Sequence, residues 1–218
     1  MAETPLWQRL WRLFEAGLFS VPSGPALFNQ YRDTDPEYDL PGAARLRREN
    51  LRNFLECYRG KPPGALLVGE AAGPWGCRFS GVPFTSESQL VEGELPFKGK
   101  RTSRQGPPNK ERSGAVLWGA LLPVFPRFFL WNAVPLHPHE KGRPLTIRTP
   151  GAREIRAFCP LLKELYDALG PAQVVAIGRR AQAALGLIEV PCVYVRHPAQ
   201  AGAREFLEGM RKIFFKKP

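Results

Sequence analysis

Three side chains able to do chemistry follow directly on short apolar runs. Glu70 lies in Gly69-Glu-Ala-Ala-Gly73 after Ala65-Leu-Leu-Val68, Asn132 follows Phe128-Phe-Leu-Trp131, and His197 lies in Arg196-His-Pro-Ala199 after Cys192-Val-Tyr-Val195. A carboxylate can accept a proton or face a positive charge. A carboxamide presents donors beside an acceptor, and an imidazole can donate to negative charge as it develops. Each also has a plainer reading: a loop carboxylate bonded to backbone amides, a strand-end asparagine in a turn, a loop histidine bonded to its neighbours. Their shared position, each at the end of an apolar run, is what groups them.

The elements that must hold these residues can be read from hydrophobic spacing. The runs at 65–68, 128–131, 174–177 and 192–195 are bounded closely by Gly and Pro, which favours buried strands over helices. Helical periodicity falls between and after them, at Asn109 to Leu122, Pro150 to Leu169, Arg179 to Leu185 and Ala203 to Phe215. Strands alternating with helices imply parallel crossovers, a sheet covered on both faces, and a ligand crevice beyond the strands' carboxyl ends. Ahead of this, residues 1–60 read as helices and turns: Trp7, Leu10, Trp11 and Phe14 share a helical face, and a second periodic segment runs from Ala43 to Tyr58. The expected organisation is a helical N-terminal extension, 1–60, packed on the same domain as an α/β unit, 61–218.

Bulk properties narrow the partner. The 218 residues carry a formal net charge of +11, a field that attracts polyanions. Lys98, Lys100, Arg101, Arg104, Lys110 and Arg112 crowd one Gly/Pro/Ser-containing stretch, and Arg211, Lys212, Lys216 and Lys217 crowd the carboxyl end. A flexible basic loop of this kind suits phosphate contacts. No apolar stretch approaches the roughly 20 residues that would span a bilayer, and no secretory signal pattern opens the chain. The expectation is a monomer, cytoplasmic and nucleoid-associated, with no membrane partner. The four cysteines, 57, 77, 159 and 192, include no Cys-x-x-Cys pair, and His137, His139 and Glu140 lack the helical spacing that aims two imidazoles at one ion. No metal and no cofactor are expected.

The ordered set Val68-Gly-Glu-Ala-Ala-Gly73, Gly81-Val-Pro-Phe84, Trp131-Asn132 and His197-Pro198 resembles the uracil-DNA glycosylase superfamily over roughly residues 65–215, most closely the groups called family 4 and family 5. The resemblance implies a three-layer α/β/α fold around a mostly parallel four-stranded sheet. It also implies a DNA-repair hydrolase that flips uracil from DNA and cleaves its N-glycosidic bond, leaving an abasic site. Phe84 is then the stacking platform for the flipped ring, although core packing is the default for a phenylalanine. Asn132 reads the uracil edge, and Gly69 and Ala71 lie close to the base through their backbone. His197 stabilises the leaving base. Glu70 positions water and faces the cationic sugar, standing in for the Asp that the best-known branch has where Ala71 stands here.

Two departures qualify the likeness. Of the cysteines that hold an iron-sulfur cluster in family 4, Cys159 matches the last, but Leu136 stands at the third position and no earlier pair exists. The expectation is no cluster, with the amino-terminal helices covering that region. The insert from Glu87 to Lys110 is longer than in family 4 and is expected to contact DNA through Lys98, Lys100, Arg101 and Arg104. After the last motif, Gln200 or Arg204 replaces the bulky wedge that enters the minor groove. The alternatives are a glycosylase for hypoxanthine or xanthine, and a non-catalytic protein that binds damaged DNA.

Overall fold

A computed structural model describes residues 4–93, 95–199 and 201–215 of the chain. In chain order the elements are α1 Leu6–Gly17, β1 Leu27–Phe28, α2 Ala43–Glu56, β2 Ala65–Ala71, α3 Cys77–Ser80, α4 Glu87–Val91, α5 Arg112–Leu121, β3 Phe128–Val134, β4 His137–Pro138, α6 Ala152–Leu169, β5 Gln173–Ile177, α7 Arg179–Leu187, β6 Val193–Val195 and α8 Ala203–Phe214. No helix among the described residues is long and apolar enough to cross a membrane.

The core is a four-stranded sheet of order β3-β2-β5-β6, with every pairing parallel. The chain steps from β2 to β3 on one side and then crosses to β5 on the other. The crevice beyond the carboxyl ends of β2 and β5 is therefore a topological switch point, where open α/β sheets bind ligands. All seven residues of β3 are buried, as a central layer covered on both faces requires. The four apolar runs all form strands, two of them longer than the sequence suggests: β2 continues to Ala71 and β3 to Val134. A short antiparallel pair, β1 with β4, was not anticipated, and two residues per strand leave no periodicity to read.

The amino-terminal segment is built into this core. Phe14 of α1 stacks on Trp131 of β3 with centroids 4.4 Å apart and planes 2° from parallel, and α1 packs along α6. Tyr58, just past α2, donates its hydroxyl to Phe128 O at 2.6 Å. Cys159, on α6, is partly buried against the hydrophobic core, and Leu136 is fully buried.

Two buried carboxylates organise the parts that have no regular periodicity. Asp39 Oδ1 meets Arg47 of α2 and Arg78 of α3, each at 2.5 Å, and all three side chains are almost completely sealed from solvent. Glu87, wholly buried at the start of α4, accepts from five donors: the Thr102 and Ser103 amides, the Ser103 hydroxyl, and the Asn109 amide and carboxamide. That corrects the expectation of a flexible basic loop over residues 98–112. The insert is a folded layer laid over α2, where Asn50 also donates to Lys100 O and accepts from Lys100 N. It also shortens the helix expected from Asn109, because Asn109 is engaged by Glu87 and α5 begins at Arg112.

Removing one member of a buried ion cluster strands the rest in a medium that cannot solvate them. Asp39→Asn is expected to destabilise the protein by about 3–5 kcal/mol, read from the urea unfolding midpoint. An unchanged midpoint would show that the two arginines do not depend on Asp39.

Candidate active site

The carboxyl ends of β2, β5 and β6 surround an open cavity of about 570 Å³. Glu70 and Ala71 enter it from β2, Gly178 and Arg180 from the β5–α7 junction, and His197 from the segment after β6. Gly69 and Asn132 are paired neighbours across β2 and β3. A β-carbon on Gly69 would lie 2.4 Å from Phe84 Cζ and 2.7 Å from Asn132 Oδ1. Glycine at 69 is therefore what lets an aromatic ring and a carboxamide close on the same strand. The Phe84 ring is in turn 6.0 Å, centroid to centroid, from the His197 ring. The four residues form one continuous wall, of which His197 lines the open cavity while Gly69, Phe84 and Asn132 are buried and do not.

Phe84 adopts φ 53°, a left-handed conformation that a bulky residue seldom takes. Such a conformation costs on the order of 1–3 kcal/mol and persists only where the surroundings enforce it. Here Gly114 of α5 supplies the close approach, since a β-carbon there would meet Phe84 O at 2.5 Å. Trp118 Nε1 donates to the next residue, Thr85 Oγ1, at 3.0 Å.

The polar groups are held in defined states. His197 Nδ1 accepts the Ala199 amide at 3.1 Å, so the proton of the neutral ring sits on Nε2. Burial first, and then the charge of Arg196, lower the His197 pKa and keep the ring neutral. Asn132 is buried, and its carboxamide has no hydrogen-bond partner among the described residues. Glu70 is half-buried. Desolvation raises its pKa while the charge of Arg180 opposes that rise.

His137 serves the loop rather than a metal. Its Nδ1 lies 2.8 Å from Ala72 O and its Nε2 3.0 Å from Pro144 O, tying the loop after β2 to the segment after β4. Burial pushes its pKa down to about 4, so a neutral ring donates to one of these carbonyls. No grouping of three or more potential metal ligands occurs among the described residues.

The basic residues divide by position. Lys98, Lys100, Arg101 and Arg104 stand on the insert and do not line the cavity. Lys100 pairs with Glu49, Arg101 donates to the carbonyls of Ser103, Gln105 and Gly106, and Arg104 donates to Asp39 O. Arg204, exposed on the first turn of α8, pairs with Glu208, while Gln200 lies outside the described residues. The cavity lining instead draws on Arg148, Arg179, Arg180 and Arg196, none of them singled out from sequence. Arg179 and Arg180 were accessible to the rule that residues just past a strand's carboxyl end face the ligand. In the sequence they also open a helix.

Glu111 was missed as well. It lines the cavity, and its carboxylate presses against the loop after β2, where β-carbons on Gly73 and Gly76 would sit 2.5 Å and 2.4 Å from its oxygens. Burial raises its pKa to about 7. Its only signal in the sequence is an acid beside a helix start, which ordinarily reads as a capping residue.

The sequence model of the Uracil DNA glycosylase superfamily matches residues 60–217, well over half of the chain. The protein belongs to this superfamily. Among solved structures, the crystal structure of wild-type Pedobacter heparinus SMUG2 is similar in fold, with a TM-score of 0.67 at 12% identity over 97% of each chain. No curated protein matches the sequence. Membership supports the reaction class, removal of a damaged base from DNA, and the superfamily match begins just ahead of β2 and so takes in every element that surrounds the cavity.

Gly69→Ala is expected to displace Phe84 and Asn132 together and to lower glycosylase activity at least tenfold while the far-ultraviolet circular dichroism stays native, on the scale of a small misplacement of positioning groups. Undiminished base excision by the variant would show that the close packing at Gly69 is not needed for the pocket.

Proposed function

We propose that this protein is a monofunctional DNA glycosylase that excises uracil, leaving an abasic site. The observation carrying the proposal is the wall of Gly69, Phe84, Asn132 and His197: a ring, an unpartnered carboxamide and a neutral imidazole with its proton on Nε2, all at the switch point of the sheet. A uracil turned out of the helix loses its stacking and regains part of it on an aromatic face, worth about 1–3 kcal/mol per base. The Asn132 carboxamide offers an acceptor to uracil N3–H and a donor to O4. Cytosine presents the reverse pattern.

As the bond to the sugar breaks, negative charge collects on the base. His197 Nε2–H donates to O2 and stabilises that charge, as preorganised donors do in an oxyanion hole. Neutrality suits the task, because a ring already held in the donor tautomer needs no proton transfer to act. Glu70 faces the sugar, where positive charge develops, and orients water beside it. The small residues Ala71 and Ala72 let the backbone approach the nucleotide. Arg179, Arg180 and Arg196 at the cavity hold phosphates, with Lys98, Lys100, Arg101 and Arg104 as outlying contacts and the segment of Gln200 and Arg204 as the wedge.

Purified protein incubated with oligonucleotides carrying uracil, hypoxanthine or xanthine, followed by alkaline cleavage of abasic sites, tests the assignment. Scission of the uracil strand is expected. Scission only at a purine would transfer the assignment to that base, and none with any substrate would remove the enzymatic reading. His197→Ala is expected to lower the single-turnover rate roughly 100–1,000-fold while DNA binding persists. Asn132→Asp should weaken uracil preference and admit cytosine; unchanged specificity would take Asn132 out of base readout. Affinity for DNA should fall steeply with salt, in proportion to the phosphates neutralised.

A further inference from the structure

We propose that Glu111 is the proton-accepting base of this pocket, a catalytic residue separate in role from Glu70. The inference rests on the glycosylase reading and assigns one of its steps.

Three observations converge on Glu111. It occupies the N-cap position of α5, where a side chain ordinarily bonds to the free amides of the first turn, yet it makes no such bond. Its carboxylate reaches across to the loop after β2 instead, into space that exists because residues 73 and 76 have no β-carbons. There Oε2 is sealed from solvent and has no hydrogen-bond partner, while the residue itself lines the cavity. A buried acid left without a partner is destabilising and calls for an explanation. The cavity it opens onto supplies one.

Environment separates the two carboxylates, as it does wherever paired acids take different parts. Glu70 is only half-buried, and although desolvation raises its pKa, the charge of Arg180 opposes that rise, an opposition Glu111 lacks and one that suits a negative charge beside a cationic sugar. Glu111 is shifted by burial alone, to about 7, which suits proton exchange near neutrality. The other charged or titratable groups of the cavity are Arg148 ahead of α6, Arg179 and Arg180 of α7, Tyr194 of β6, and Arg196 and His197 after it. Cys77 of α3 is pushed up to about 12 by burial first, with the charge of Glu111 adding to the rise. None of these forms an ion pair with Glu111 among the described residues.

In the step assigned, the water oxygen bonds to C1′ as the bond from C1′ to the base nitrogen breaks. The electron pair of that bond leaves with the base, whose charge His197 stabilises. One proton of the water passes to the Glu111 carboxylate, which afterwards releases it to the departed base or to solvent. Atoms and charge balance without a further reactant.

The test is single-turnover excision from a uracil-containing duplex across pH 5 to 9, about two units either side of the Glu111 pKa. The wild-type rate is expected to rise through an inflection near 7 and then level off. Glu111→Gln should lower the plateau rate roughly 100–10,000-fold, abolish the inflection and leave affinity for the duplex unchanged. An acid whose pKa is raised by folding destabilises the fold as pH rises past its unfolded value, so at pH 8 Glu111→Gln should melt no lower than wild type. A Gln variant that cleaves at the wild-type rate, or that keeps the inflection, overturns the role of Glu111. Should the variant fail to fold, a wild-type profile without the inflection overturns it equally. A wild type inert on every damaged base defeats the glycosylase reading itself, and that result is distinct from the others.

Discussion

A β-carbon at residue 69 would collide with both Phe84 and Asn132, and the way these two side chains close on one another follows from its absence. The strand contributes only backbone at this point. That lets a ring from one loop and a carboxamide from the neighbouring strand occupy one small volume, with the His197 ring beside them. A larger residue would force a choice among them. The left-handed turn at Phe84 belongs to the same constraint, because the ring reaches Gly69 only from an unfavourable backbone conformation that α5 holds in place from behind.

Buried charge does the comparable work farther out. Asp39 gathers Arg47 and Arg78, and Glu87 gathers a set of amides and hydroxyls, where neither segment has enough apolar periodicity to pack by itself. Each acid is solvated by protein rather than water, which confines it to one geometry. Desolvation also draws the Arg47 pKa down to about 10, so even its arginine partner registers the dryness of the site. Glu111 is the contrasting case. It is as deeply placed at Oε2 but lacks donors, and it borders the cavity.

The sheet was legible in the sequence because parallel strands covered on both faces must be continuous apolar runs, and Gly and Pro mark their ends. The placement of Glu70 and His197 at the cavity was legible for the related reason that strand ends in such a sheet have a known orientation. The insert at 87–110 was not, since its order comes from one carboxylate binding residues some way along the chain, a pattern with no period. The β1–β4 pair was too short to register. Glu111 escaped because its meaning depends on Gly73 and Gly76, which only the folded chain brings beside it. The arginines of the cavity have no such cluster in the sequence: the basic residues crowd together at the insert, whereas the cavity collects Arg148, Arg179, Arg180 and Arg196 from three separate segments.

The stacking of Phe14 on Trp131 joins the first helix to the residue immediately before Asn132. On a ribosome α1 can pack on α2 early, but the face that Phe14 presents has no Trp131 to stack on until the middle of the chain has emerged. Until then α1 is only partly covered. Closure of that helix onto the sheet then waits for the strand that bears the asparagine, so α1 completes its packing after elements that follow it in the chain.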